Sequence, residues 1–222
     1  MSKTDNLAVS AVQRAADAFA AGEPVLVHDA ADREGEVDLI YPARSVGPAA
    51  VARMRNDAGG LICVALSHEV AETFDLPFLA DEIDHPAAEA DHLGYDERSS
   101  FSLTVNHRDT YTGVTDEDRS TTITALGHAA ADPEHTDFAD EFRAPGHVHV
   151  LRAAPELLDE REGHTELGIA LADAAGREPA VVVCEMLDDE TGEALSVDDA
   201  RAYAERHGFA YVEGRDLVAE LA

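Results

Sequence analysis

Lysine is almost absent from this 222-residue chain: Lys3 is the single one, and every other cationic side chain is arginine. Basic residues are scarce altogether, 16 Lys and Arg against 46 Asp and Glu, a formal net charge of −30 with histidine neutral. The acid is spread along the chain instead of being gathered into a tail. Such a field repels phosphate backbones and anionic lipid surfaces, which excludes nucleic acid and membrane as partners. An even spread of this size suits a surface adapted to concentrated salt, where screening tolerates self-repulsion, and implies a halophilic source.

Cysteine is also scarce. Cys63 and Cys184 both sit in apolar runs, which excludes a disulfide framework and predicts buried, reduced thiols in a cytoplasmic setting. No basic-then-apolar leader opens the sequence and no apolar run approaches 18 residues, so the chain is expected to be neither exported nor membrane-spanning. A Gly-rich nucleotide fingerprint and internal repeats are missing as well. What remains is a 45% hydrophobic composition, enough for a core, at a length that fits a single domain over residues 1–222.

Apolar spacing predicts a helix over Asn6–Ala21, then a hairpin of Pro24–Val27 and Asp38–Tyr41 around a charged loop, Asp29–Glu36. A helix over Ala49–Asp57 and a buried strand over Leu61–Leu66 follow, and Ser67 is placed to cap a short helix. Leu76–Ser100 is acidic, histidine-containing and aperiodic, and reads as a mobile loop. Strands are expected at Phe101–Asn106, Val148–Leu151, Ala180–Cys184 and Phe209–Val212. Helices are expected after Thr115, over Thr165–Ala175, from Ser196 to Gly208 and over Asp216–Leu221. Helices and short strands joined by connections of varied length predict an α+β fold, with helices packed on a mixed sheet.

Five constellations carry candidate chemistry. In Asp32-Arg33-Glu34-Gly35-Glu36-Val37-Asp38, acids at spacing two share one side of an extended segment and suit a hard divalent cation; the pattern also fits a solvated hairpin tip. Arg161-Glu162-Gly163-His164-Thr165-Glu166 precedes an apolar helix, so free backbone N–H groups, Arg161 and Thr165 could cradle a phosphate. The same residues also read as an ordinary helix start, capped by His164 or Thr165. In Arg143-Ala144-Pro145-Gly146-His147 a Pro-Gly turn is expected to project His147 at a strand edge. Glu185 ends an apolar strand, either covered, with a raised pKa, or exposed. Gly113 to Thr122 supplies a hydroxyl- and acid-rich helix start with a supporting role.

Taken in order, DREGEVDL, GGLICVAL, GVTDEDRSTT, FRAPGHVHVLR, REGHTELGIALADAAGREPA and VVVCEM resemble the 3,4-dihydroxy-2-butanone 4-phosphate synthases of riboflavin biosynthesis, from about Asn6 to Phe209. The resemblance implies a three-layer α-β-α sandwich around a mixed sheet. It also implies a lyase that converts D-ribulose 5-phosphate into 3,4-dihydroxy-2-butanone 4-phosphate and formate, as a homodimer with sites at the subunit interface. By motif, Glu34 and His164 are implied as ligands of two Mg²⁺ per site, with Mn²⁺ as a substitute. Arg33, Glu34, Asp38, Arg161, Glu162, Gly163, His164, Thr165 and Glu185 are implied to hold substrate, and His147, Glu185 and Asp38 to be catalytic. The residues unaided point to manganese or zinc, since histidine is an uncommon ligand for hard Mg²⁺.

The chain departs from the family pattern at Gly35 and Val37, where Asn and Gly are usual, and Val37 is expected to stiffen the loop. Two cysteines cannot make the three-cysteine zinc site of the family's frequent fusion partner, so a stand-alone form is expected. Two other functions share these features. One is a metal-dependent sugar-phosphate isomerase or dehydratase, and the other is a non-catalytic acidic protein that binds divalent cations.

Overall fold

Alternate residues of the central strands belong to two different cores, and this dictates the layering. The computed structural model describes residues 9–29, 35–88 and 98–222. Its strands are β1 (Val25–His28), β2 (Val37–Pro42), β3 (Cys63–Leu66), β4 (Phe101–His107), β5 (Phe142–Arg152), β6 (Ala180–Val183) and β7 (Ala210–Glu213). They form one sheet in the order β4-β5-β3-β6-β2-β1-β7. The β3/β5 and β1/β7 pairs are parallel and the other four antiparallel, so the sheet is mixed as expected.

The helices are α1 (Ala11–Ala20), α2 (Pro48–Asp57), α3 (His68–Thr73), α4 (Leu79–Glu82), α5 (Asp116–Ala131), α6 (Phe138–Glu141), α7 (His164–Ala174), α8 (Val197–His207) and α9 (Gly214–Leu221). Val25, Val27, Ile40, Cys63, Val181 and Val183 pack with Phe19 of α1, Leu171 of α7 and Leu217 of α9. Leu26, Leu39, Val64, Leu66 and Val182 pack on the other face, with Met54 of α2, Val70 of α3, Leu126 of α5 and Tyr203 of α8. The result is a three-layer α-β-α sandwich. A strand covered on both faces has no polar side, which is why β3 and β6 read as unbroken apolar runs.

Cap chemistry sets several boundaries. Ser67, Thr115 and Ser196 accept the backbone N–H of Val70, Asp118 and Asp199, and Gly208 closes α8 in the left-handed region. The first helix is shorter than its spacing suggests, because Ser10 caps it. Residues 6–8 lie outside the described residues.

Two expectations need correction. The Pro145-Gly146 pair is not a turn before a strand: β5 runs through it. The ladder steps from Val105↔Val148 to Asn106↔Arg143, so residues 144–147 bulge out of pairing inside the strand. Proline is tolerated there because a bulged residue owes the ladder no N–H. The 76–100 stretch is not wholly irregular either, since it contains α4 and a 3-10 turn at Pro86–Ala88. The Phe78 ring carries the guanidinium groups of Arg98 and Arg152 at 3.9 and 4.7 Å, and Arg152 also pairs with Glu72 and donates to the Leu76 carbonyl. Residues 89–97 lie outside the described residues.

Candidate active site

The site assembles where β2 begins and β6 ends. Asp38 and Glu185 face each other across an antiparallel bridge, held by Leu39 N–H on the Cys184 carbonyl at 2.9 Å and Met186 N–H on the Val37 carbonyl at 2.8 Å. A third bond, from Gly59 N–H to the Glu185 carbonyl at 2.7 Å, ties the end of β6 to the segment after α2. Ile40 and Val183 belong to the core under α7, so two residues along each chain Asp38 and Glu185 point to that same side. Asp38 is only 1% exposed and Glu185 is half-buried.

Helix α7 begins beside them. His164, its first residue, is buried, with Nδ1 3.8 Å from Asp38 Oδ2. The helix cap is Gly163, which has no side chain to offer, so His164 and Thr165 lie inside the first turn instead of capping it. No side chain caps this helix end, and the field there favours negative charge.

Glu166 sits in the first turn of α7, at the positive end of the helix dipole, and is completely buried. Its Oε2 meets Arg161 Nη1 at 2.5 Å and its Oε1 accepts the Ala154 N–H at 3.0 Å. Burial pushes its carboxyl up, against the opposing pull of Arg161 and the Ala154 N–H. Arg161 is thereby fixed beside the open helix end, while Glu162 points to solvent and Thr165 is buried.

The two acids are felt by Cys63 on the neighbouring strand. Its thiol is pushed far above the ordinary range, first by burial and then by the negative charges of Glu185 and Asp38. Cys184, on the other face, is pushed up to about 12, chiefly by burial. Both are free, buried thiols, protonated at neutral pH.

His147 stands apart. It is exposed on β5 and shares a cavity with Arg55, Val114, Thr115, Asp116 and Arg119. With His149 opposite Cys63 and Cys63 opposite Val183, β5 is separated from β2 by β3 and β6. Three strand spacings, about 14 Å, thus lie between β2, which carries Asp38, and β5, whose bulge carries His147. One chain therefore brings Asp38, Glu185 and His164 together but not His147.

The loop leading into α5 is held by Asp118, whose Oδ2 accepts the N–H of Thr112 and Gly113 and the Thr112 hydroxyl at 2.8–3.1 Å. The Gly113 N–H leads in holding this carboxyl below its usual range. A depressed pKa stabilises the fold above the ordinary carboxylate value, and that support is lost as pH falls through the depressed one. Protection of the Gly113 amide, corrected for the pH dependence of intrinsic exchange, is therefore expected to hold at neutral pH and to fall once the pH drops below about 4. Unchanged protection in acid would remove Asp118 from that role.

Arg33 and Glu34 lie outside the described residues. Val37 is fully buried in the core with Leu26 and Leu39, so it fixes the start of β2 where the family pattern carries glycine. Among the described residues no three His, Cys, Asp or Glu side chains form a metal-holding group. The buried ring nitrogen of His164 beside the Asp38 carboxylate is still donor chemistry that suits a divalent cation, given further oxygen ligands.

Comparison with known proteins agrees with this architecture. The family model for 3,4-dihydroxy-2-butanone 4-phosphate synthase matches residues 13–220. The Archaeoglobus fulgidus 3,4-dihydroxy-2-butanone 4-phosphate synthase is 50% identical over 213 residues, covering 90% of each chain. The Methanosarcina mazei enzyme of that name is 46% identical, covering 93% of this chain and 89% of its own. A crystal structure of 3,4-dihydroxy-2-butanone 4-phosphate synthase in complex with two magnesium ions superposes with a TM-score of 0.82 at 32% identity, covering 95% of this chain and 96% of that one. The chain belongs to the 3,4-dihydroxy-2-butanone 4-phosphate synthase family.

Proposed function

We propose that residues 1–222 form a single-domain, Mg²⁺-dependent lyase of riboflavin biosynthesis, which converts D-ribulose 5-phosphate into 3,4-dihydroxy-2-butanone 4-phosphate and formate. The observation that carries it is the bridge between buried Asp38 and half-buried Glu185, set beside the uncapped start of α7. An anion-binding helix end next to two convergent carboxylates suits a phosphorylated substrate whose carbon-bound protons must be moved.

Arg161, Gly163 and Thr165 hold the substrate phosphate, with Arg161 kept in place by Glu166. Glu162 and Arg33 also bind the substrate, and Glu34 and His164 would hold the magnesium. The bound metal supplies positive charge that eases loss of a proton next to the substrate carbonyl. Mn²⁺ is expected to replace it. Asp38 and Glu185 carry protons between substrate carbons and hydroxyls, and their low exposure keeps bulk water from competing. The setting is cytoplasmic, and no helix among the described residues is long and apolar enough to cross a membrane.

The enzyme works as a homodimer with sites at the subunit interface. Three strand spacings separate His147 from Asp38 in one chain, so His147 reaches the site of the partner subunit. His147→Ala and Glu185→Gln are each expected to be inactive alone. Mixed by co-expression, they regain about one quarter of wild-type turnover, because half the dimers then hold one intact site. No recovery in verified heterodimers would place His147 in its own subunit's site.

The direct test is formate release from D-ribulose 5-phosphate in concentrated KCl, with Mg²⁺ and then with EDTA. Formate that depends on the metal supports the lyase. Substrate consumed without formate would indicate an isomerase or dehydratase, and no conversion by folded protein a non-catalytic cation binder.

A further inference from the structure

The bulge in β5 leaves backbone donors that the ladder cannot satisfy, and β4 takes them with side chains. Gly146 N–H donates to Thr104 Oγ1 at 3.2 Å and His147 N–H donates to Asn106 Oδ1 at 2.8 Å. Asn106 is 3% exposed. Its fit is tight: a Cβ on Gly113 would stand 2.2 Å from Asn106 Nδ2, and one on Gly146 would stand 2.0 Å from the Val105 carbonyl carbon. Neither glycine can be replaced without displacing Asn106 or β4.

The His147 N–H is an obligatory donor, so it fixes which end of the Asn106 amide is oxygen. The amide nitrogen then faces the ring, with Nδ2 3.1 Å from His147 Nδ1. Oδ1 also stands 3.3 Å from Nδ1 but already takes the His147 N–H at 2.8 Å; the NH₂ group is nearer and can only donate, so in this contact Nδ1 accepts. A neutral imidazole carries one proton, and with Nδ1 accepting, that proton sits on Nε2.

We propose that Asn106 is a positioning residue that fixes the ring orientation of His147 and holds it in the Nε2–H form for the reaction. The catalytic part rests on the role given to His147 above; the hydrogen-bond assignment does not. Asn106 was not among the residues that sequence motifs singled out, because it acts through a bulge register that only the fold reveals.

Long-range ¹H–¹⁵N correlation on full-length, [¹⁵N]histidine-labelled protein with Mg²⁺, above the ordinary histidine pKa of about 6.5, reads the tautomer directly. His147 is assigned by its loss in His147→Ala. The wild type is expected to show Nε2–H. N106D keeps the size of the side chain and still accepts the His147 N–H, but puts an acceptor against Nδ1. It is expected to convert the ring to the Nδ1–H form and to lower kcat for formate release about ten- to a hundredfold, with KM within about threefold. An Nδ1–H ring in the wild type, or an Nε2–H ring retained in N106D, overturns the assignment. Conversion of the tautomer with kcat unchanged overturns positioning for the reaction. Near-wild-type formate release by His147→Ala would instead remove His147 from catalysis, leaving the tautomer measurement to decide the hydrogen bond.

Discussion

Glu185→Gln is expected to lower kcat for formate release by about 10³-fold or more while leaving the melting temperature within a degree or two. The substitution keeps the shape of the side chain and removes its charge and its ability to take up and release a proton. The backbone bonds that place residue 185, from Leu39 to Cys184, from Met186 to Val37 and from Gly59 to Glu185 itself, do not involve the side chain. Half-burial also means that no large desolvation cost is relieved or imposed. A loss of activity with an unchanged fold is therefore a loss of chemistry. Kinetics read against thermal unfolding check it, and turnover within tenfold of wild type would take Glu185 out of the proton-transfer steps.

Arg161→Ala is expected to act on both stability and binding. Motif reasoning alone predicts mainly a raised KM, as for any phosphate-binding arginine. The structure adds that Arg161 is the charged partner of Glu166, whose side chain has no exposure at all. Removing one member of a buried pair leaves the other uncompensated, which costs about 3–5 kcal/mol. For a chain of this size that lowers the melting temperature by on the order of 10 °C. The double variant R161A/E166Q removes the stranded carboxylate and is expected to recover much of the stability while KM stays raised. Calorimetry and kinetics on both variants separate the roles. R161A melting with the wild type would show that the pair contributes little to the fold.

The central strands were legible in the sequence because a strand buried on both faces leaves an apolar run, as Cys63–Leu66 and Ala180–Val183 do, whereas the three layers were implied by the family resemblance. Caps were legible at Ser67, Thr115 and Ser196 because a short hydroxyl side chain before a helical period has one obvious task. Pro145-Gly146 misled, since a dipeptide that normally marks a turn is equally at home in a bulge, and only pairing with β4 decides between them. The burial of Glu166 was not legible: the first turn of a helix attracts acids for its dipole, and no local signal says that this one faces inward to meet Arg161.

At the site, the convergence of Asp38, His164 and Glu185 could not be read from spacing, since they come from one strand, one helix and the end of another strand. Their motifs gave the residue types, and the β2/β6 register with the start of α7 gave the proximity. His147 shows the converse. Its motif is plain, yet its distance from Asp38 within one chain follows only from the strand order.

The central claim is that this chain cuts one carbon out of a pentulose phosphate, which neither an isomerase nor a cation-binding protein does. D-ribulose 5-phosphate carrying ¹³C at C4, incubated with the protein and Mg²⁺ and followed by NMR, tests that most directly. The account predicts that the label appears in formate, one formate for each substrate consumed, beside an unlabelled four-carbon phosphate. Label retained in a five-carbon product, or substrate that persists unchanged with folded protein and metal, would contradict it.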